Sequence, residues 1–160
     1  MKKGKIIVTQ GLPSSGKSTW ANDVMKKYPN TYIRVNKDEL RFTLFGKDFD
    51  RRNENIIINV IDDIITQALN NNFDVIDDNT NFNNFHFKRY EKLFGERVEV
   101  VIFDQFLDVS IDECIERDSK RVKSVGKDVI LKMSQSDIYK EYLLKKLNSR
   151  NVDLQIQSGV

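Results

Sequence analysis

Gly11, Gly16, Lys17 and Ser18 stand at the spacing G-x-x-x-x-G-K-[ST] within residues 11–19, GLPSSGKST. A loop of this composition can curl so that successive backbone N–H groups point inward and hold phosphate oxygens. Lys17 is expected to reach the β- and γ-phosphates of a nucleotide, its side chain otherwise solvated. The Ser18 hydroxyl is expected to ligate Mg²⁺. Pro13, Ser14, Ser15 and Thr19 complete the nucleotide contact. The competing reading is a Gly/Ser turn that fits by chance. It is disfavoured because KIIVTQ before the loop reads as a buried strand and STWANDVMKKY after it as a helix. A helix N-terminus there adds its positive dipole to an anion site.

Three further polar groups follow strands, where open α/β sheets gather their ligands. Asp38 and Arg41 are three apart in KDELR, so a helix starting there puts both on one face. Asp38 could take the proton of an acceptor hydroxyl while Arg41 clamps a neighbouring phosphate. A helix-start Asp with a solvated Arg is the alternative. Glu39 is the competing base, expected to point away from Arg41. In VIDDNTN, strand alternation sets Asp77 and Asp78 on opposite faces, and Asp78 is preferred as the Mg²⁺-side carboxylate. An Asx-rich turn competes with that reading. Arg117, Lys120, Arg121 and Lys123 form a basic run, either a solvated loop or a lid whose arginine neutralises a transferring phosphoryl group. Asp104 follows the fourth strand. The string Asn36-Lys37-Asp38 fails as a guanine-specificity motif, because Glu39 occupies its fourth position and no D-x-x-G occurs.

The elements that must position these residues alternate in a βαβα rhythm, which predicts a parallel sheet with helices on both faces. Strands are expected at residues 5–10, 31–36, 73–77 and 97–103. Helices are expected at 17–28, 37–46, 51–70, 83–94, 110–118 and 128–147. Ile57, Ile61, Ile64 and Ala68 mark the buried stripe of the long one. Residues 148–160 read as a polar, poorly ordered tail after a kinase-sized domain at 1–147. Trp20 is expected to pack against the loop or the core, and His86 to lie on the surface.

With 160 residues, 31% charged and 39% apolar, the chain is expected to be a single soluble domain. A net charge of +2 gives no global polybasic signal, so any polyanion must meet a local cluster. Cys114 is the only cysteine, which rules out an internal disulfide and fits a reducing, cytoplasmic setting. The apolar run IIV is too short for a signal peptide, and no stretch approaches a membrane span.

GLPSSGKSTWA, NKDELR, TNFN and RDSKR, in this order and spacing, resemble the kinase domain of phage polynucleotide kinases from about residue 5 to residue 144. The resemblance implies an adenylate-kinase-like P-loop fold with about four parallel strands and a short lid. It implies ATP and Mg²⁺ as cofactors, and phosphorylation of 5′-hydroxyl DNA or RNA ends in repair. By motif, Lys17 and Ser18 would handle phosphates and Mg²⁺, and Asp38 would be the general base. Arg41 and Asn81 would contact the acceptor, and Arg117 and Arg121 the nucleotide, Arg121 as the catalytic lid arginine. Two departures stand out. The family's D-T-N has Asn79 before Thr80 here, with the carboxylate one place earlier at Asp78. No D-x-D-G-T phosphatase motif occurs, so no 3′-phosphatase activity is expected. A small-molecule P-loop kinase and a non-catalytic ATP-binding switch remain as rivals.

Overall fold

The computed structural model describes residues 3–158, and the side chains of all of these except residue 86 and residues 151–158. Four strands, β1 (Gly4–Thr9), β2 (Tyr32–Val35), β3 (Asp74–Asp77) and β4 (Val98–Phe103), form one all-parallel sheet in the order β2-β3-β1-β4. Each crossover is helical, through α1 (Lys17–Lys27), α2 (Lys37–Phe45), α3 (Glu54–Asn70) and α4 (Phe85–Phe94). After β4 come α5 (Ile111–Ser119), α6 (Lys127–Met133) and α7 (Asp137–Ser158). Short 3-10 turns at Gly95–Arg97 and Gln105–Asp108 flank β4.

Strand alternation divides the packing. Ile6, Val8, Val35 and Val75 face Ile57, Ile61, Ile65 and Ala68 of α3 and Phe87, Tyr90 and Phe94 of α4. The buried α3 positions recur every three or four residues, the stripe a helix must bury against a sheet. Ile64 is only partly buried beside this stripe, and Ile65 takes its place in the core. A second cluster of Leu12, Leu107, Cys114, Ile130 and Tyr139 anchors the phosphate loop to α5, α6 and α7.

One expectation at the C-terminal end requires correction. The last helix is broken rather than continuous from residue 128. Ser134 Oγ donates to Leu131 O, and the Ser136 hydroxyl accepts the Tyr139 N–H at 3.3 Å, so a serine closes one helix and another opens the next. The second of these helices, α7, spans Asp137–Ser158. The expectation for His86 concerns a side chain outside those described.

Candidate active site

The phosphate loop leaves the end of the central strand β1, between β3 and β4. Its glycines are required by space and by backbone angle. A Cβ on Gly11 would lie 2.6 Å from both Phe106 Cβ and Ser15 Oγ, and Gly16 has φ +100° where α1 begins. Ser14 also takes positive φ, at 62°. Lys17 departs from its expected solvation. Its side chain turns back under the loop, and its ammonium donates to Gly11 O at 2.9 Å, Leu12 O at 2.7 Å and Ser15 Oγ at 3.3 Å. The residue is 7% exposed, and burial pulls its pKa down to about 8, partly opposed by the Asp78 carboxylate. Pro13 and Ser15 are likewise buried in the loop, whereas Ser18 and Thr19 are exposed.

A cleft of about 470 Å³ opens over the loop, walled by Ser14 and Gly16, by Lys17, Ser18 and Thr19 of α1, and by Arg117 and Arg121 across from them. The basic run is therefore brought to the phosphate loop. A buried carboxylate that sequence reasoning passed over fastens it there. Asp118 accepts from Ser14 Oγ at 3.1 Å, Ser124 Oγ at 2.5 Å and the Val125 and Gly126 N–H groups at 3.2 and 2.9 Å. Burial alone would raise the Asp118 pKa, but these donors outweigh it and hold the carboxyl below its ordinary value. Arg121 donates to Ser14 Oγ at 3.2 Å, and Arg117 pairs with Glu113.

Asp77 and Asp78 diverge as the pleat dictates. Asp77 faces α4, where it accepts from Tyr90 Oη at 2.8 Å and Asn79 Nδ2 at 2.5 Å. Burial together with the Asp77 charge drives the Tyr90 pKa upward. Asp78 is 1% exposed and faces the loop side. Its Oδ2 takes the Arg34 Nε at 2.8 Å, while Oδ1 is buried with no hydrogen-bond partner among the described residues. A buried carboxylate oxygen with a vacant lone pair fits a hydrated Mg²⁺. Asp104 is half-buried at the start of the 3-10 turn after β4, where its carbonyl accepts the Leu107 N–H.

The end of β2 and the start of α2 are built differently. Asn36 caps α2, its Oδ1 accepting the Glu39 N–H at 3.0 Å, and its Nδ2 donates to Asp78 O at 2.6 Å. Lys37 N–H donates to Asn79 Oδ1 at 3.0 Å, so both residues at the end of β2 are tied to the end of β3. Asp38 is 84% exposed and accepts from Arg41 NH1 at 2.5 Å. Arg41 is held in turn by Glu54 at the start of α3, through Nε at 2.7 Å and NH2 at 2.8 Å. Bidentate bonding to Glu54 raises the Arg41 pKa and lowers that of Glu54. Glu39 points away, as expected, and bonds Arg34 through both oxygens, at 3.0 and 2.7 Å.

Asn81 is not brought to the surface with these groups. It is buried at φ 52°, its amide donating to Thr9 O at 2.9 Å and Asp77 Oδ1 at 3.3 Å. That amide fixes the loop after β3. Trp20 stacks on Phe103 with ring centroids 4.6 Å apart, and also meets Phe106, the residue that confines Gly11.

The parallel sheet, the phosphate loop at the end of its central strand and the facing arginines together define a P-loop kinase fold of the adenylate-kinase-like type. A family model described as an AAA domain matches residues 6–143, and the chain belongs to that family. A chain of the Pnkp1/Rnl/Hen1 RNA repair complex superimposes with a TM-score of 0.73 and 25% identity, over 89% of this chain and 47% of its own length. Gluconokinase from Sinorhizobium meliloti 1021 shares the fold at a TM-score of 0.54 and 12% identity, over 85% of this chain and 76% of its own. Deoxyadenosine kinase from M. mycoides shares it at 0.51 and 19%, over 90% and 86%. This chain thus spans about half the length of the RNA repair chain it resembles. Among the described residues, no helix is long and apolar enough to cross a membrane.

Proposed function

We propose that this protein is an ATP-dependent polynucleotide kinase that transfers the γ-phosphoryl group to 5′-hydroxyl ends of DNA or RNA. The observation that carries the reading is the exposure of Asp38 beside an arginine clamped from behind. A small acceptor would be enclosed to exclude water, whereas a polymer end must reach the base from open surface. Arg41 commits three of its five donors to Asp38 and Glu54, which leaves two for an acceptor phosphate. The likeness to a chain of an RNA repair complex supports the same reading.

Each residue then has a task in phosphoryl transfer. Lys17 exchanges its loop carbonyls for nucleotide phosphates. Ser18 and Asp78 would hold Mg²⁺, which supplies neutralising charge at those phosphates when bound. Asp38 accepts the proton of the attacking hydroxyl, and Arg41 keeps its carboxylate oriented. Arg121, half-exposed opposite the loop, stabilises the charge that develops on the transferred group.

Incubation with γ-labelled ATP and a panel of 5′-hydroxyl oligonucleotides, nucleosides, deoxynucleosides and gluconate tests the proposal. Label in the 5′-hydroxyl oligonucleotides is expected. Label confined to a free nucleoside or sugar acid overturns it.

A further inference from the structure

Two aromatic side chains on the acceptor side are not accounted for by packing. Phe42 on α2 and Phe49 in the loop that follows are 53% and 65% exposed, and neither joins a core cluster. Burying a phenylalanine normally favours folding by about 1.5–3 kcal/mol, so two exposed rings outside both core clusters call for a partner. Each already lies against a cation. Lys123 Nζ sits 3.6 Å from the centroid of Phe42, and Arg41 Cζ lies 5.4 Å from that of Phe49. Arg41 is the guanidinium that holds Asp38, so the rings flank the acceptor residues. Lys123 belongs to residues 119–127, which carry Lys120, Arg121, Lys123 and Lys127 and no carboxylate.

Each exposed ring here is therefore paired with a cation, Phe42 with one from residues 119–127 and Phe49 with one from α2. That combination recognises single-stranded nucleic acid, because every base has a face that stacks and every linkage has a phosphate that needs neutralising. We propose that Phe42 and Phe49 form a stacking platform for the unpaired nucleotides that follow the 5′-hydroxyl end, with Lys123 and Arg41 placed to meet the intervening phosphates. The platform rests on the polynucleotide reading above and adds to it a preference for acceptors several nucleotides long and for unpaired ends. Charge complementarity selects this occupant, since the cations contact the same rings that would stack. An apolar protein partner would gain nothing from them.

The experiment is steady-state kinetics at saturating ATP with 5′-hydroxyl acceptors from a nucleoside 3′-monophosphate through oligonucleotides of increasing length. Wild type, Phe42→Ala, Phe49→Ala and the rescue variants Phe42→Trp and Phe49→Trp are compared, with thermal melting as the folding control. The wild-type KM should fall about fivefold or more as the first unpaired bases are added. Each alanine variant should raise the oligonucleotide KM by a similar factor, against a much smaller change for the nucleoside 3′-monophosphate. Tryptophan should restore the length dependence, because it stacks better. A wild-type enzyme that uses all lengths with one KM overturns the platform and leaves the kinase reading standing. Alanine variants that match wild type at every length also overturn it, and assign the rings to a protein partner. An enzyme that labels nothing in the series overturns both proposals.

Discussion

The donor and acceptor halves of this site hold their charges in opposite ways. On the donor side, Lys17 and Asp118 are buried, their side chains bond within the loop and to residues 124–126, and a second hydrophobic cluster lies beneath. On the acceptor side α2 has no buried residue at all. It is held by an Asn36 cap, by the tie from Lys37 to Asn79, and by Arg34 and Arg41 acting as bridges. Phosphate is the same ligand in every member of such a fold, so its grip can be built into packed backbone. The acceptor varies, and here it is met by a helix whose contacts are polar, exposed and replaceable without disturbing a core.

Exchanging the base for an isostere breaks the comparison most sharply. Asp38→Asn should lower kcat by about 10²–10⁴ while the KM for ATP hardly moves. The exposed pair with Arg41 is worth about 0.5 kcal/mol or less, so thermal melting should be almost unchanged. Glu39→Gln is the control, since its carboxylate serves Arg34. If it is the dead variant and Asp38→Asn is active, the register of α2 has been misread by one residue.

Lys17→Ala should cost about 10²–10³ in turnover, through loss of a preorganised cationic donor. It should also shift the melting temperature, unlike Asp38→Asn, because Gly11 O and Leu12 O lose a buried partner. Near-normal turnover would remove the phosphate-grip assignment.

Arg121→Ala should fall between the halves. A lid arginine that touches nucleotide in the ground state and again in the transition state lowers kcat and raises the ATP KM together, by about tenfold or more overall. An effect on the acceptor KM alone would move it to the other half.

The smallest of these effects should come from Glu54→Gln, which keeps shape but weakens the bidentate hold on Arg41. An increase of about threefold to tenfold in acceptor KM is expected, with ATP binding unaltered. Equal damage to both substrates would make Glu54 a structural residue only.

The contrast also explains what was legible in the sequence. The phosphate loop, its strand and its helix could be read because the G-x-x-x-x-G-K-[ST] spacing is a contiguous pattern and Gly16 is dictated by its own positive φ. The divergence of Asp77 from Asp78 followed from the two-residue period of a strand. Glu54 could not be found this way, since it meets Arg41 across thirteen positions and an intervening loop. Asp118 was hidden inside a basic run, and its partners are mostly backbone amides and hydroxyls that no spacing rule reports. The structural part played by Asn81 was hidden for a related reason, because an asparagine in the left-handed region turns its amide inward to tie its loop to β1. The break at residues 134–136 depends on which serine hydroxyls choose backbone partners, a choice made by packing rather than by propensity.

The account's central claim is that Arg41, held by Glu54 and Asp38, recognises a phosphate next to the hydroxyl that Asp38 deprotonates. The direct test compares kcat/KM for a nucleoside 3′-monophosphate with that for the same nucleoside lacking the phosphate, in wild type and in Arg41→Ala. One charge-assisted contact corresponds to discrimination of at least about tenfold, which wild type should display and Arg41→Ala should lose. Equal use of both acceptors by wild type would contradict the claim and return the site to a kinase of small molecules.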